Sequence, residues 1–321
     1  MATSLFYNFV VWFTALAAMF AGGFSSPSTD DVITVDETAN LTAVVWGDTQ
    51  VSNYLLSRNI NTKVSAEDLY NINGTLDAFI HVGDVTENGL LCEYNLIADY
   101  LYGVDAENFI ITEGNHDIRM RLYSQSLSRF SSFVNYLNDG LENDIEIEDK
   151  YYYSTVINGY TFIVLGSDKS TFEDNYISDE QLEWLANELE VASESGLPIF
   201  VINHQPLAGT NGLPDTFSSI ISDGSIGDQS DDVFELMNQY ENVIYISGHC
   251  HTAFGDLLYE TKGNVNLVNI PSIGIDNKDG DYNEAGIGFV LTVTDDQVIF
   301  AARDFYNGIY LPEYDIVIDL V

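Results

Sequence analysis

Positive charge is scarce in this chain: its 321 residues hold 10 Lys and Arg against 50 Asp and Glu, for a formal net charge of −40. That balance makes a long nucleic-acid polymer a poor partner, because binding one normally takes clustered cations that neutralise phosphates. Cysteine is rarer still. Cys92 and Cys250 are the only two, too few for a disulfide framework, and Cys250 reads as a free thiol or a packing residue. No Lys or Arg precedes Arg58, so the first apolar segment lacks the basic flank of an ordinary secretory signal. No internal repeat is visible, and no linker divides the chain.

What is present is a globular composition. Hydrophobic residues make up 46%, and a chain of this length buries a full core, so one large domain over residues 40–321 is expected. The acidic excess has two readings that stand side by side. It suits a saline or cation-rich medium, where dense carboxylates hold water and counter-ions. It equally suits a solvated surface that keeps a protein soluble and monomeric. Residues 1–26 form a separate unit, apolar over 5–23 apart from Asn8 and Thr14 and followed by Ser25 and Ser26. They read as a signal peptide, or as an N-terminal membrane anchor if left uncleaved. A secreted or extracytoplasmic protein is expected, with membrane contact only in the uncleaved case. Sequons at Asn40 and Asn73 suit export.

From residue 41 onward, short β-rich runs alternate with helix-like segments. Strands are expected over 41–46, 76–82, 109–112, 199–203 and 243–247, and helices over 88–100 and 178–195. Ser178 and Gln181 form a capping-box pattern, with Gly196 as the stop. Asn158-Gly159 between two apolar runs marks a hairpin. Further strands are expected over 265–270, 287–294 and 298–305. This alternation predicts an α/β domain, with sheets buried between outer helices. Two stretches, 123–150 and 205–230, show little regular pattern; the second is the candidate substrate-side loop.

Each of the five first strands runs into a polar motif: Gly47-Asp48-Thr49-Gln50, Gly83-Asp84-Val85-Thr86-Glu87, Gly114-Asn115-His116-Asp117, Asn203-His204 and Gly248-His249-Cys250-His251. Four of the five histidines lie in these motifs. Imidazole and carboxylate are the usual ligands of Zn, Mn and Fe, and ligands of α/β folds gather at the carboxyl ends of strands. The pattern therefore points to one shared metal site.

Taken in order over residues 47–251, these motifs resemble the calcineurin-like metallophosphoesterase superfamily. The resemblance implies an α/β/β/α sandwich with mixed sheets and two divalent or trivalent metal ions, Mn, Fe or Zn. It implies that Asp84 bridges them, that Asp48 and His251 complete one site with Gln50 where the family usually has histidine, and that Asn115, His204 and His249 hold the other. The implied chemistry is attack on phosphorus by a metal-bound hydroxide, the metals also clamping phosphoryl oxygens. His116 would donate a proton to the leaving oxygen, and Asp117 would fix that ring, a helix cap being a second use of the same carboxylate.

Gln50 departs from the pattern. Its carbonyl is a weaker and harder donor than imidazole, which favours looser binding or Mn²⁺ and Mg²⁺ over Zn²⁺; alternatively it only hydrogen-bonds nearby backbone. His81, between Ile80 and Val82, reads as structural. Arg119 could steer a phosphate with its forked donors, as could Arg121, or either could pair with the abundant carboxylates. Tyr151-Tyr152-Tyr153 reads as half-buried strand. The expected protein is a metal-dependent phosphatase or phosphodiesterase acting on a small phosphoester. A non-catalytic metal-containing binding or scaffold protein of the same fold is the alternative.

Overall fold

The computed structural model describes residues 32–321, apart from 120, 142, 144 and 218. The apolar N-terminal unit and its expected cleavage region lie outside them. No helix among the described residues is long and apolar enough to cross a membrane.

Two mixed sheets lie face to face. The first uses β1 (Leu41–Trp46), β2 (Ala78–His81), β3 (Phe109–Ile111), β10 (Ile287–Val293), β11 (Gln297–Asp304), β12 (Ile309–Tyr310) and β13 (Ile316–Asp319). Its order is β12-β11-β10-β1-β2-β3, with β13 also on β11. The second runs β4-β5-β6-β7-β9-β8, from β4 (Tyr153–Ile157), β5 (Tyr160–Val164), β6 (Ile199–Ile202), β7 (Val243–Ser247), β8 (Tyr259–Lys262) and β9 (Val265–Asn269). The centre of each sheet is parallel: β1 with β2 and β2 with β3, and β5 through β6 and β7 to β9. The tail strands extend the first sheet in antiparallel register from β1.

The layers follow from strand alternation. In β1, Ala43 and Val45 face the core between the sheets, with Phe200 and Ile202 of β6 among their companions. Val44 and Trp46 face the other way, into a cluster with α1 (Leu56–Leu69), α2 (Leu91–Leu101) and α4 (Tyr123–Asn138). Ile199 and Val201 likewise meet α5 (Asp179–Ser193) and α6 (Ser230–Met237). The product is the expected α/β/β/α sandwich. Ser178 caps α5 by accepting from Gln181 N at 3.2 Å, and Asn158-Gly159 turns the β4–β5 hairpin with both residues at positive φ.

One expectation is corrected. The stretch 123–150 contains the 16-residue helix α4. Its serines hid the period, yet Leu127, Phe130, Phe133 and Val134 recur on one buried face. Helix α1 also escaped the pattern, because its buried face is made of Thr62, Ser65 and Ala66 with Leu69 as its one large apolar side chain. Tyr151 and Tyr152 are buried just ahead of β4, and only Tyr153 enters the strand.

Phe130 packs against Tyr94 and Tyr151. Phe130→Ala should therefore cost about 3–5 kcal/mol, read as a lower denaturant midpoint at unchanged slope. A loss below about 1 kcal/mol would mean that α4 contributes no such core contact.

Candidate metal centre

The five motifs meet where the parallel strands end. β1, β2 and β3 deliver Asp48, Gln50, Asp84 and Asn115 from one sheet, and β6 and β7 deliver His204, His249 and His251 from the other. Asp48 (φ 51°), Gln50 (39°), Asp84 (52°), His249 (70°) and His251 (50°) all have left-handed backbone. Such residues cost about 1–3 kcal/mol each and persist only where the surroundings over-determine them. Here the surroundings are mutual. Asp48 N donates to Gly83 O at 3.1 Å, and Gln50 N to Asp84 O at 2.8 Å. Across the sheets, His249 N donates to Asp48 Oδ2 at 3.1 Å, and His204 Nδ1 donates to Val82 O at 2.8 Å.

Close approach also accounts for the neighbouring glycines. A Cβ on Gly114 would lie 2.2 Å from both the backbone N and Oδ1 of Asp84. At Gly83, with φ 96°, it would lie 2.7 Å from His204 Nδ1.

Asp84 sits at the centre. Its Oδ1 is 3.4 Å from His204 Nε2 and accepts from His116 N at 2.8 Å. Its Oδ2 accepts from Gln50 Nε2 at 2.8 Å. Asp48 Oδ1 lies 3.1 Å from His251 Nε2. Ligand atoms of Asp84, His204 and His249 all lie within 4.8 Å of one another. Among the expected ligands, three side-chain atoms are buried without any hydrogen-bond partner: Gln50 Oε1, Asn115 Oδ1 and His249 Nε2. Orphaned polar atoms are costly in a protein interior, and these three belong to residues expected as ligands. The donor set therefore fits metal ions. Electrostatics agrees: burial would lower the His204 pKa, but the Asp84 and Asp48 carboxylates outweigh it and push it up to about 10. A cation bound there would displace that proton.

His116 stands beside this cluster, with Nε2 3.8 Å from Asp84 Oδ2. Its Nδ1 is 2.8 Å from Arg119 Nη2 and 3.2 Å from Glu87 Oε2. Arginine only donates, so the arginine contact uses the Nδ1 lone pair of the neutral ring. In the protonated ring, Nδ1–H has Glu87 as acceptor. Burial opposes protonation, yet Asp84 and Glu87 raise the pKa above the ordinary imidazole value.

Asp117 does not touch the ring. Its carboxylate accepts from Val85 N, Thr86 N, Thr86 Oγ1 and Gly114 N at 2.7–3.1 Å, capping the four-residue helix α3 (Asn115–Ile118) and fixing the Asp84 loop. The expectation that it orients His116 is corrected: the carboxylate against the imidazole is Glu87, itself paired with Arg58. Glu87 closes the second motif, three residues after Asp84, so its signal lay in the sequence without a role attached. Arg119 pairs with Glu173 at 3.5 Å, and Arg121 Nε donates to Asn88 O at 3.1 Å. His81 is buried and held neutral, its pKa pushed down to about 4 by burial. Its Nε2 meets Thr49 Oγ1 at 3.1 Å, steadying the loop between Asp48 and Gln50.

A cavity of about 130 Å³ opens over the cluster, lined by Gln50, Asp84, His116, His249 and His251 together with Glu173, Phe217, Cys250 and Lys278. Phe217, from the irregular 205–230 stretch, packs on His249 with ring centroids 4.7 Å apart. Glu173 and Lys278 carry no motif and reach the site only through folding. A larger groove of about 520 Å³ between α2 and α4 contains none of the five motifs.

Comparison with known proteins agrees with this geometry. The calcineurin-like phosphoesterase family matches residues 41–253. A curated relative, the probable glycerophosphodiester phosphodiesterase GpdQ of Arcobacter nitrofigilis, is 26% identical over 179 residues, 54% of this chain and 56% of that protein. The match thus spans little more than half of that relative's length. Among solved structures, a dimetal phosphatase from Danio rerio superposes with a TM-score of 0.58 at 13% identity, over 88% of this chain and all of that one. Purple acid phosphatase PPD1 of yellow lupin, Lupinus luteus, scores 0.58 at 16% identity over 87% of this chain and 53% of that chain. GAP50, the anchor in the inner membrane complex of Plasmodium, scores 0.58 at 14% identity, covering 88% and 89%. At such identities these structures share the fold.

Gln50→Ala removes the unpartnered Oε1 and the bond to Asp84. Metal affinity should fall about 10–100-fold, measured by titration and elemental analysis. Unchanged affinity would leave Gln50 serving only as a donor to Asp84.

Proposed function

The chain belongs to the calcineurin-like phosphoesterase family, and on that premise we propose that it is a metal-dependent hydrolase of a small phosphoester. One observation carries the proposal: ligand-type side chains from both sheets converge on a cavity, three of their buried atoms without a partner. Asp48, Gln50 and His251 would hold one ion, Asn115, His204 and His249 the other, with Asp84 between them. Bound there, two cations would lower the pKa of water, clamp phosphoryl oxygens and offset developing negative charge.

The chain's own part is positioning and proton delivery. A bond forms from a water oxygen to phosphorus as the bond from phosphorus to the leaving oxygen breaks. His116 Nε2 supplies the proton that the leaving oxygen needs, while Glu87 stabilises the charged ring from the Nδ1 side. Arg119, beside His116, is available to a phosphoryl oxygen if it leaves Glu173. A small substrate is supported by the size of the cavity and by the phosphodiester named for the Arcobacter relative. The acidic excess disfavours a polymer.

Asp84→Ala and His249→Ala should each lose metal and turnover together, checked by elemental analysis beside chromogenic phosphoester assays. His116→Asn should keep its metal and lose about 10²–10⁴-fold in kcat, less with a leaving group that needs no proton. Metal bound by the wild type without turnover on any phosphoester would instead support a binding or scaffold protein. Glu87 raises the His116 pKa, and the acid form is the active one. Glu87→Gln should therefore move the alkaline limb of the rate profile to lower pH, as a kcat/KM profile would show.

A further inference from the structure

The cations around the cavity are already engaged. Arg58 pairs with Glu87. Arg119 pairs with Glu173 and lies over the Phe172 ring, 5.5 Å from its centroid. Arg121 is turned to the Asn88 carbonyl. Lys278 lines the cavity, but its Nζ donates to Thr216 O at 2.7 Å and lies 3.9 Å from Asp279 Oδ2.

One carboxylate outside the expected ligand set lines the cavity among the described residues, and it is firmly held. Glu173 Oε2 accepts from Asn115 Nδ2 at 2.8 Å. Its backbone is pinned on both sides of the side chain: Gln205 Nε2 donates to Glu173 O at 2.9 Å, and Asn115 Nδ2 to Phe172 O at 3.3 Å. The side chain is only 16% exposed, so water screens its charge poorly. The other amide atom of Asn115, Oδ1, is buried without a partner. A phosphoryl group seated at that cluster would thus share the pocket with a carboxylate held in place, and could draw on Arg119 only by taking it from Glu173 and leaving that charge uncompensated.

We propose that Glu173 is a specificity-determining residue, whose charge makes the site select the monoanionic phosphodiester over the dianionic phosphomonoester. The inference rests on the phosphoesterase reading above. A monoester carries a second negative charge above about pH 6, whereas a diester carries one at any assay pH. Glu173 penalises the additional charge and leaves the diester less affected. Its hydrogen bond to Asn115 is a separate, structural duty that a neutral amide can perform with its own oxygen.

The test compares 4-nitrophenyl phosphate with bis(4-nitrophenyl) phosphate, which share a leaving group, on metal-loaded wild type, Glu173→Gln and Glu173→Asp at pH 8. Wild type should prefer the diester. Glu173→Gln should lower the ratio of kcat/KM, diester over monoester, about tenfold, chiefly through a lower KM for the monoester. Glu173→Asp, which keeps the charge, should retain most of the preference. Elemental analysis showing wild-type metal content in Glu173→Gln establishes that Asn115 is still in place. A wild type that prefers the monoester, or equal losses on both substrates in Glu173→Gln, overturns the role of Glu173 and leaves the phosphoesterase reading intact. Absence of metal-dependent turnover in the wild type on both substrates overturns that reading and this inference together.

Discussion

The site depends on left-handed backbone at the tips of parallel strands. Asp48, Gln50, Asp84, His249 and His251 account for five of the nine non-glycine residues with positive φ among the described residues. At about 1–3 kcal/mol each, this strain is comparable to the whole net stability of a typical domain. It persists because each strained turn is held by another. The loop after β1 hydrogen-bonds to the loop after β2, Asp48 reaches across to the His249 amide, and His204 reaches back to Val82. The core between the sheets fixes the distance over which these contacts form. Packing of the sandwich is thereby coupled to ligand geometry.

Charge is organised on the same plan. Asp48 and Asp84 are almost fully buried, and carboxylates in such surroundings need a counter-charge. For Asp84 the nearest is the His204 imidazole at 3.4 Å, driven towards its protonated form by both carboxylates, while His251 lies 3.1 Å from Asp48. A metal pair bound there would replace the His204 proton with several positive charges, which would tie metal loading to the electrostatic balance of the core. The large acidic excess of the surface is a different matter; nothing in the ligand geometry draws on it.

Much of the fold was legible. The strands over 41–46 and 243–247 appear in the structure with those bounds, because continuous β-branched and aromatic runs bounded by Gly-Asp and Gly-His leave little choice. The cap at Ser178 and the turn at Asn158-Gly159 were legible because each is a local interaction of a few adjacent residues. Helices α1 and α4 were not, since serines, threonines and an alanine occupy much of their buried faces and dilute the period. Asp117 shows a different limit. A motif puts a carboxylate next to a histidine in sequence, but one residue of separation on a helical turn points the two side chains apart, and the loop amides around Asp84 take the carboxylate instead.

By itself, then, the sequence determined the family, the order of the layers and the set of ligand-type residues at strand ends, because each of these is written in local pattern and in ordered short motifs. The tertiary structure decided the rest. It put Glu87 rather than Asp117 against His116, turned Gln50 Nε2 toward Asp84, and brought Glu173, Phe217 and Lys278 to the cavity from segments with no motif. Those are contacts between residues far apart in the chain. Their geometry comes from how two sheets pack and how their connecting loops close, and no spacing along the chain encodes it.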